Sequence, residues 1–364
     1  MTTALLVKPG EIEHELLESW SANGEVDKVR AALFNLLVYV PHLDRSSEVK
    51  AITKRVIRNF PSRVLFITHD KESRRSYLET EVAVDLIGEG PHRLSCDMIH
   101  IRYAGSEAEK VPFLILPHLL PDLPVYLLWL GGPREDDQLF EFLSPYLSRA
   151  IFDPYALDML PLFSRYLLGL VNRFPRGVTD LQWAATEGWR QVIAGALNSQ
   201  ERLEQLAILK EGRFLYARDD RPERDPRIQA SYLQAWIASQ MKWRFTGLKA
   251  LPDGALHLNY EGQGGPILIR LEPDPLRRGD PGAVVYFDAI TYGRQRFEFS
   301  VDPTSQLACF RLWTPERCDL PHTLYLPHPT RDELLAREIF QQGTTKHYQQ
   351  SLKLVSGIQR SRSQ

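Results

Sequence analysis

The chain has 364 residues and carries 44 Lys and Arg against 46 Asp and Glu, a formal net charge of −2. No excess of positive charge therefore directs it to nucleic acid or to an acidic membrane surface. Hydrophobic content of 43% and charged content of 25% are ordinary for a soluble globular protein, and the length suits two domains.

The opening Met-Thr-Thr-Ala-Leu-Leu-Val-Lys-Pro is too short an apolar run for a signal peptide. Ile12, Leu16, Leu17 and Trp20 form one apolar helical face. Val29 to Val40 reads as a strand ending at Pro41. A helix starts near Ser46 or Ser47, with Val49, Ile52, Val56, Ile57 and Phe60 on one side, and Pro61 stops it. Strands follow at Arg63 to Ile67, Glu79 to Ile87 and Cys96 to Tyr103, then a helix after Gly105. Val111 to Pro133 is rich in Leu, Val and Ile, but its prolines would free backbone groups that lipid cannot satisfy. Val125 to Leu130, apolar throughout, reads as a strand covered on both faces, and Arg149 to Phe152 as the last of that sheet. Residues 1–152 are thus expected to form a Rossmann-like layered α/β domain.

Residues 153–364 are expected to hold a helical connector and an antiparallel sheet with flanking helices. Ala156 to Lys242 is mainly helical, with a possible strand between Leu203 and Ala217 and an amphipathic helix around Trp236. Short strands follow at Ala255 to Tyr260 and Pro266 to Leu271, around a Glu261-to-Gly265 hairpin loop, then at Ala283 to Ile290, Gln295 to Val301, Leu307 to Trp313 and Cys318 to Leu326. Thr330-Arg-Asp-Glu333 is a capping box, and Tyr348, Leu352 and Val355 make the last apolar stripe.

Sequence motifs for chemistry are scarce. There is no G-x-G-x-x-G or Walker sequence, so no cofactor is expected; Gly262 to Gly265 lies between strands, where a hairpin outweighs a phosphate loop. His14-Glu15-Leu-Leu-Glu18 lacks the second His of a zinc helix, and no metal site is expected. Cys96, Cys309 and Cys318 are too few for a disulfide framework and fit a reducing compartment. Cys309 and Cys318 are expected on neighbouring strands, where they could come close. Four of the seven tryptophans fall in two central stretches, Asp180-Leu-Gln-Trp183 with Trp189-Arg190, and Tyr232 to Trp243 with Trp236 between. Aromatics gathered without an acid, base or metal set suit docking or packing better than catalysis.

These segments resemble the D-L-x-W…W-R and L-x-x-W-L-A-x-x-L-x-W signatures of the glucose-6-phosphate dehydrogenase assembly proteins, the OpcA family. Asn59-Phe60-Pro61-Ser62-Arg63-Val64 and Leu120-Pro121-Asp122-Leu123-Pro124-Val125, with Trp129 after it, agree in order. Ile237 and Met241 stand at positions usually Leu, and Ser62 stands where many relatives carry Cys, which puts thiol regulation there in doubt. The resemblance implies a cytoplasmic, non-enzymatic partner and allosteric activator of glucose-6-phosphate dehydrogenase, serving the oxidative pentose phosphate pathway. Asp180, Trp183, Trp189, Arg190, Trp236 and Trp243 are the expected partner-binding residues, with Asp180 and Arg190 orienting the Trp helices. The alternative is an enzyme or sensor binding a sugar phosphate or nucleotide at the edge of the first sheet, lined by Thr68-His69-Asp70 and Gly131-Gly132.

Overall fold

The computed structural model describes residues 5–22, 29–41, 45–87, 94–132, 137–154, 159–218, 225–276, 280–302 and 305–358. Its elements begin with β1 (Leu5–Val7), α1 (Ile12–Ala22), β2 (Val29–Arg30), β3 (Asn35–Val40), α2 (Ser46–Asn59), β4 (Arg63–His69), β5 (Tyr77–Ile87) and β6 (Leu94–Ala104). There follow α3 (Val111–Ile115), β7 (Val125–Leu130), α4 (Gln138–Leu143), β8 (Arg149–Asp153), α5 (Leu160–Leu170), β9 (Val178–Asp180), α6 (Leu181–Ala185), α7 (Glu187–Ala196) and α8 (Gln200–Ala207). The rest are β10 (Leu209–Tyr216), α9 (Ile228–Gln240), β11 (Arg244–Ala250), β12 (Leu256–Gly262), β13 (Gly265–Pro273), β14 (Val284–Thr291), β15 (Arg296–Asp302), β16 (Leu307–Trp313), β17 (His322–Tyr325), α10 (Arg331–Phe340) and α11 (Lys346–Ser356). No helix among the described residues is long and apolar enough to cross a membrane. The Leu-rich stretch from Val111 holds the short helix α3, a 3-10 turn and the strand β7.

These elements form two compact units, one of Met1–Asp153, Leu170–Leu181 and Thr330–Gly343, the other of Pro154–Gly169, Gln182–Pro329 and Thr344–Gln364. The first unit thus takes in β9 and α10, which a single boundary at 152 would give to the second domain.

The first unit is built on a nine-stranded sheet in the order β1-β5-β6-β4-β3-β7-β8-β9, with β2 beside β6. From β6 to β9 every neighbouring pair is parallel. Taken in chain order, β3, β4, β6, β7, β8 and β9 lie in the doubly wound Rossmann sequence, with its switch point between β3 and β7. Both central strands are buried at every residue, as helices on both faces require. β8 is not the last strand: Val178–Asp180 adds β9 outside it, in a stretch expected to be helical. Three residues are too few to show a strand period.

Two polar side chains lock the N-terminal edge around β3. Asn35, fully buried, donates from Nδ2 to the Leu120 carbonyl (3.0 Å) and accepts the Leu120 N–H at Oδ1 (2.8 Å). Arg63 uses its whole guanidinium. Nε and Nη2 donate to Asp97 Oδ2 (3.0 and 2.6 Å), Nη1 and Nη2 to Glu13 (2.8 and 3.3 Å), and Nη1 also to the His118 carbonyl (3.0 Å). The two N-terminal segments that carry the family resemblance flank the start of β3 here, where Arg63 N–H donates to the Phe34 carbonyl and Asn35 N–H to the Pro124 carbonyl. Burial by itself would raise the Glu13 carboxyl, but hydrogen bonds from His118 and Arg63, and their charges, hold it below its ordinary 4.5.

The second unit carries an eight-stranded sheet, β11-β12-β13-β10-β14-β15-β16-β17, antiparallel except between β10 and β13. Phe297, Phe299 and Val301 face inward and alternate with half-exposed Arg296, Glu298 and Ser300. Helix α9 departs from the expected amphipathic pattern, because it is buried on every side from Ala230 to Ala238. It packs on β10 and β13 with one face and on α11 with another, so no face is left for water. Gln234 is tolerated inside because its Oε1 accepts the Tyr260 hydroxyl at 2.7 Å. Lys242, at φ 56°, ends α9 in a Schellman motif: Trp243 N–H donates to the Ala238 carbonyl (2.9 Å) and Lys242 N–H to the Ser239 carbonyl (3.3 Å).

Replacing Arg63 by Met leaves Asp97 and Glu13 without their cation and is expected to cost about 3–5 kcal/mol in urea unfolding at neutral pH. Carboxyls stranded in this way titrate higher in the folded state, and the wild-type Glu13 contribution fades as pH falls through its lowered value. The gap between the two proteins therefore narrows as pH falls below 4.5. Lys242→Gly, which relieves a left-handed side chain, should raise stability by about 1 kcal/mol in the same assay.

Candidate functional site

The C-terminal edge of the first sheet is where a parallel sheet of this order takes ligands. Tyr39 of β3 and Trp129 of β7 are register partners across the switch point, and their rings stack at 3.8 Å. His69 of β4 stacks on Tyr103 of β6 at 4.5 Å, and its Nδ1 lies 3.2 Å from the Tyr39 hydroxyl. Burial pushes the Tyr103 hydroxyl well up, with a hydrogen bond to Tyr39 acting against it. Asp70 accepts the Tyr77 hydroxyl (2.9 Å) and the N–H groups of Glu72 (3.3 Å) and Ser73 (3.1 Å). Burial, reinforced by Asp70, pushes Tyr77 up to about 12. Thr68 is buried. Gly131, at φ 83°, ends β7 with its N–H donated to the Asp153 carbonyl (2.8 Å).

On the other side of this edge, ion pairs span the switch point. Arg45, which precedes α2, reaches the Asp153 carboxylate at the end of β8 (3.6 Å), and Arg331 at the start of α10 meets the same carboxylate and Glu48 (2.5 Å). Arg55 adds a bond to Asp332 at 2.8 Å. The charged side chains at this end of the sheet are thus paired with one another.

Asp180 ends β9 in the first unit and is fully buried. The other five expected partner-binding residues lie in the second unit, and all four indoles are buried there. Trp183 stacks on Tyr348 of α11 (5.1 Å) and meets Tyr232 of α9 edge-on (6.0 Å). The Arg190 guanidinium stands 3.7 Å from the Trp183 ring centroid, and its Nη1 donates to the Trp183 carbonyl (2.8 Å) and to Thr186. Trp189 Nε1 donates to the Val284 carbonyl at 2.8 Å, fixing α7 to β14. Trp243 packs by Tyr260 and over Gly262, where an added Cβ would lie 3.1 Å from the indole. Trp183 and Arg190 come together, then, while Trp189 and Trp243 anchor separate places. Tyr232 and Tyr348 complete the Trp183 cluster without any signal in the sequence beyond apolar spacing.

His14, Glu15 and Glu18 share an exposed face of α1, with His14 Nε2 3.7 Å from Glu18. Cys309 pairs with Thr323 and Ser300, whereas Cys318 pairs with Trp313, four residues further along β16. The expectation that these two thiols approach each other is therefore corrected. Cys96 is buried, and burial pushes its thiol up to about 11.

Residues 53–161 match the family model described as the glucose-6-phosphate dehydrogenase subunit N-terminal domain, and residues 176–352 match the model of the C-terminal domain of that subunit. Among curated proteins, the OxPP cycle protein OpcA of Synechococcus elongatus is 24% identical over 74% of this chain and 61% of its own length. The OpcA protein of Synechocystis is 25% identical over 41% of this chain and 30% of its own length. The chain thus spans less than two thirds of either relative. Among solved structures, the WlbA dehydrogenase of Thermus thermophilus is similar at TM-score 0.44 and 13% identity, over 91% of this chain and 97% of the other. At that score nothing about chemistry is transferred.

Trp183→Ala removes the ring between Tyr232, Tyr348 and Arg190 and is expected to cost about 3–5 kcal/mol in urea unfolding. A loss below about 1 kcal/mol would contradict a core role for this indole.

Proposed function

The chain belongs to the OpcA family of glucose-6-phosphate dehydrogenase assembly proteins, and on that footing we propose that it binds this dehydrogenase in the cytoplasm and promotes its active oligomer, catalysing nothing itself. One combined observation carries the reading. Models for both parts of a dehydrogenase subunit match the chain, while Arg45, Asp153 and Arg331 hold one another where a sheet of this order takes a nucleotide. Activation requires tighter binding to the active oligomer than to the inactive form. In this reading Asp180, Trp183, Trp189, Arg190, Trp236 and Trp243 support binding by fixing α6, α7 and α9, and the outward residues of α7 make the contact. The names of the relatives support a place in the oxidative pentose phosphate pathway.

The stacked pairs Tyr39–Trp129 and His69–Tyr103 favour a second reading, in which a sugar phosphate or nucleotide is sensed at that edge. A rise in melting temperature with such a ligand supports it.

Size-exclusion chromatography with the dehydrogenase of the same organism, assayed for activity across the peak, tests the main reading. The expected result is a heavier species with raised activity. Two separate peaks with unchanged activity, under reducing and oxidising conditions alike, would remove it. A stable complex with unchanged turnover would reduce it to scaffolding.

A further inference from the structure

On the face of the first sheet that α2 covers, β5 and β6 carry a row of charges. Arg102 pairs with Glu81 and, at 3.6 Å, with Glu79, and Lys54 pairs with Asp85 at 3.2 Å. These contacts engage the carboxylates of the row. Lys50, one turn before Lys54 on α2, is half-buried and, among the described residues, makes no ion pair. Its Nζ stands 6.0 Å from the centroid of Phe66. The imidazole of His100 stacks on the same ring, with centroids 4.9 Å apart and planes at 13°. His100 is 8% exposed, and its buried Nδ1 has no hydrogen-bond partner. Burial, and then the charges of Lys50, Lys54 and Arg102, push this imidazole down to about 3, so the ring is neutral and one nitrogen carries a hydrogen. Burial likewise lowers Lys50.

The buried Nδ1 of His100 carries a desolvation cost that folding alone leaves uncompensated, and the half-buried Lys50 ammonium stands by the same aromatic ring without an ion pair among the described residues. We propose that Lys50 and His100 form a binding site for a small oxyanion group, carboxylate or phosphate, held between the Lys50 ammonium and the Nδ1–H of His100. One such group meets both needs at once. A water would satisfy the imidazole but add no charge for the ammonium, whose one favourable carboxylate, Glu81, is already paired with Arg102. The site stands independently of the dehydrogenase reading.

The test follows the imidazole nitrogen signals of His100 by long-range proton–nitrogen NMR in the full chain, identified by their absence in His100→Gln. Inorganic phosphate and then acetate are added at constant ionic strength set with chloride. A saturable shift of the His100 nitrogens is expected, weakened about tenfold or more in Lys50→Met. Response to phosphate alone assigns a phosphate site, and response to acetate alone a carboxylate site. Thermal unfolding of ligand-free Lys50→Met checks that this half-exposed position tolerates the change, with Lys50→Gln as the second variant. His100 signals that stay in place with both anions, or a shift that both Lys50 variants leave untouched, overturn the site.

Discussion

Arg149 opens β8 with its guanidinium almost wholly out of water, and a guanidinium cannot escape that position by losing its proton. The groups that satisfy it come from far along the chain: the Glu338 carboxylate on α10 (2.8 Å) and the carbonyls of Gly343 (3.0 Å) and Arg176. The same demand shapes the other side of the edge, where Arg63 draws in Glu13, Asp97 and the His118 carbonyl. Two buried cations thus decide which remote segments close on the first sheet. Phe340 completes the closure by packing its ring on Phe34 and Phe60.

Much of this architecture was legible in the sequence, and the exceptions have physical reasons. Val125–Leu130 and Leu36–Val40 show unbroken apolar runs because parallel strands are covered on both faces, and both lie in stretches legible as strands. The capping box at Thr330 was equally plain, and its Glu333 carboxylate accepts the Thr330 N–H at 2.7 Å. By contrast β9 is too short to show a period, and β11 mixes half-exposed and exposed residues as an edge strand does. Helix α9 was legible as a helix around Trp236, but its burial on every side was not, because apolar spacing is read as a stripe with a wet side opposite. No spacing rule predicts that α10 leaves its neighbours in sequence to join the first unit, because that depends on Arg149 and Asp153 nearly two hundred residues earlier.

The candidate site was less legible. The sequence drew attention to tryptophans, which are conspicuous by size, and all four are buried: Trp183 between two tyrosines and an arginine, Trp189 on a strand carbonyl, Trp236 inside α9 and Trp243 against a glycine. Large aromatics serve interiors and interfaces by the same physics, so composition alone cannot separate the two. Lys50 and His100 left no trace in the sequence, because their association depends on which face of β6 lies beneath α2. Thr68, His69, Asp70 and Gly131 do gather at the C-terminal edge, but on either side of β3 and with bonds already made.

The return of α10 to the first unit bears on how the polypeptide is made. A ribosome releases the chain from its N-terminus, yet Glu338 and Gly343 emerge only after the last strand of the second sheet. Until then Arg149 lacks Glu338 and Asp153 lacks Arg331. The first unit therefore reaches its finished form only after the second sheet has been made, not before it. A premature stop codon inside the second sheet would damage the first unit as well, so truncated products carry an unfinished N-terminal half that quality control can recognise.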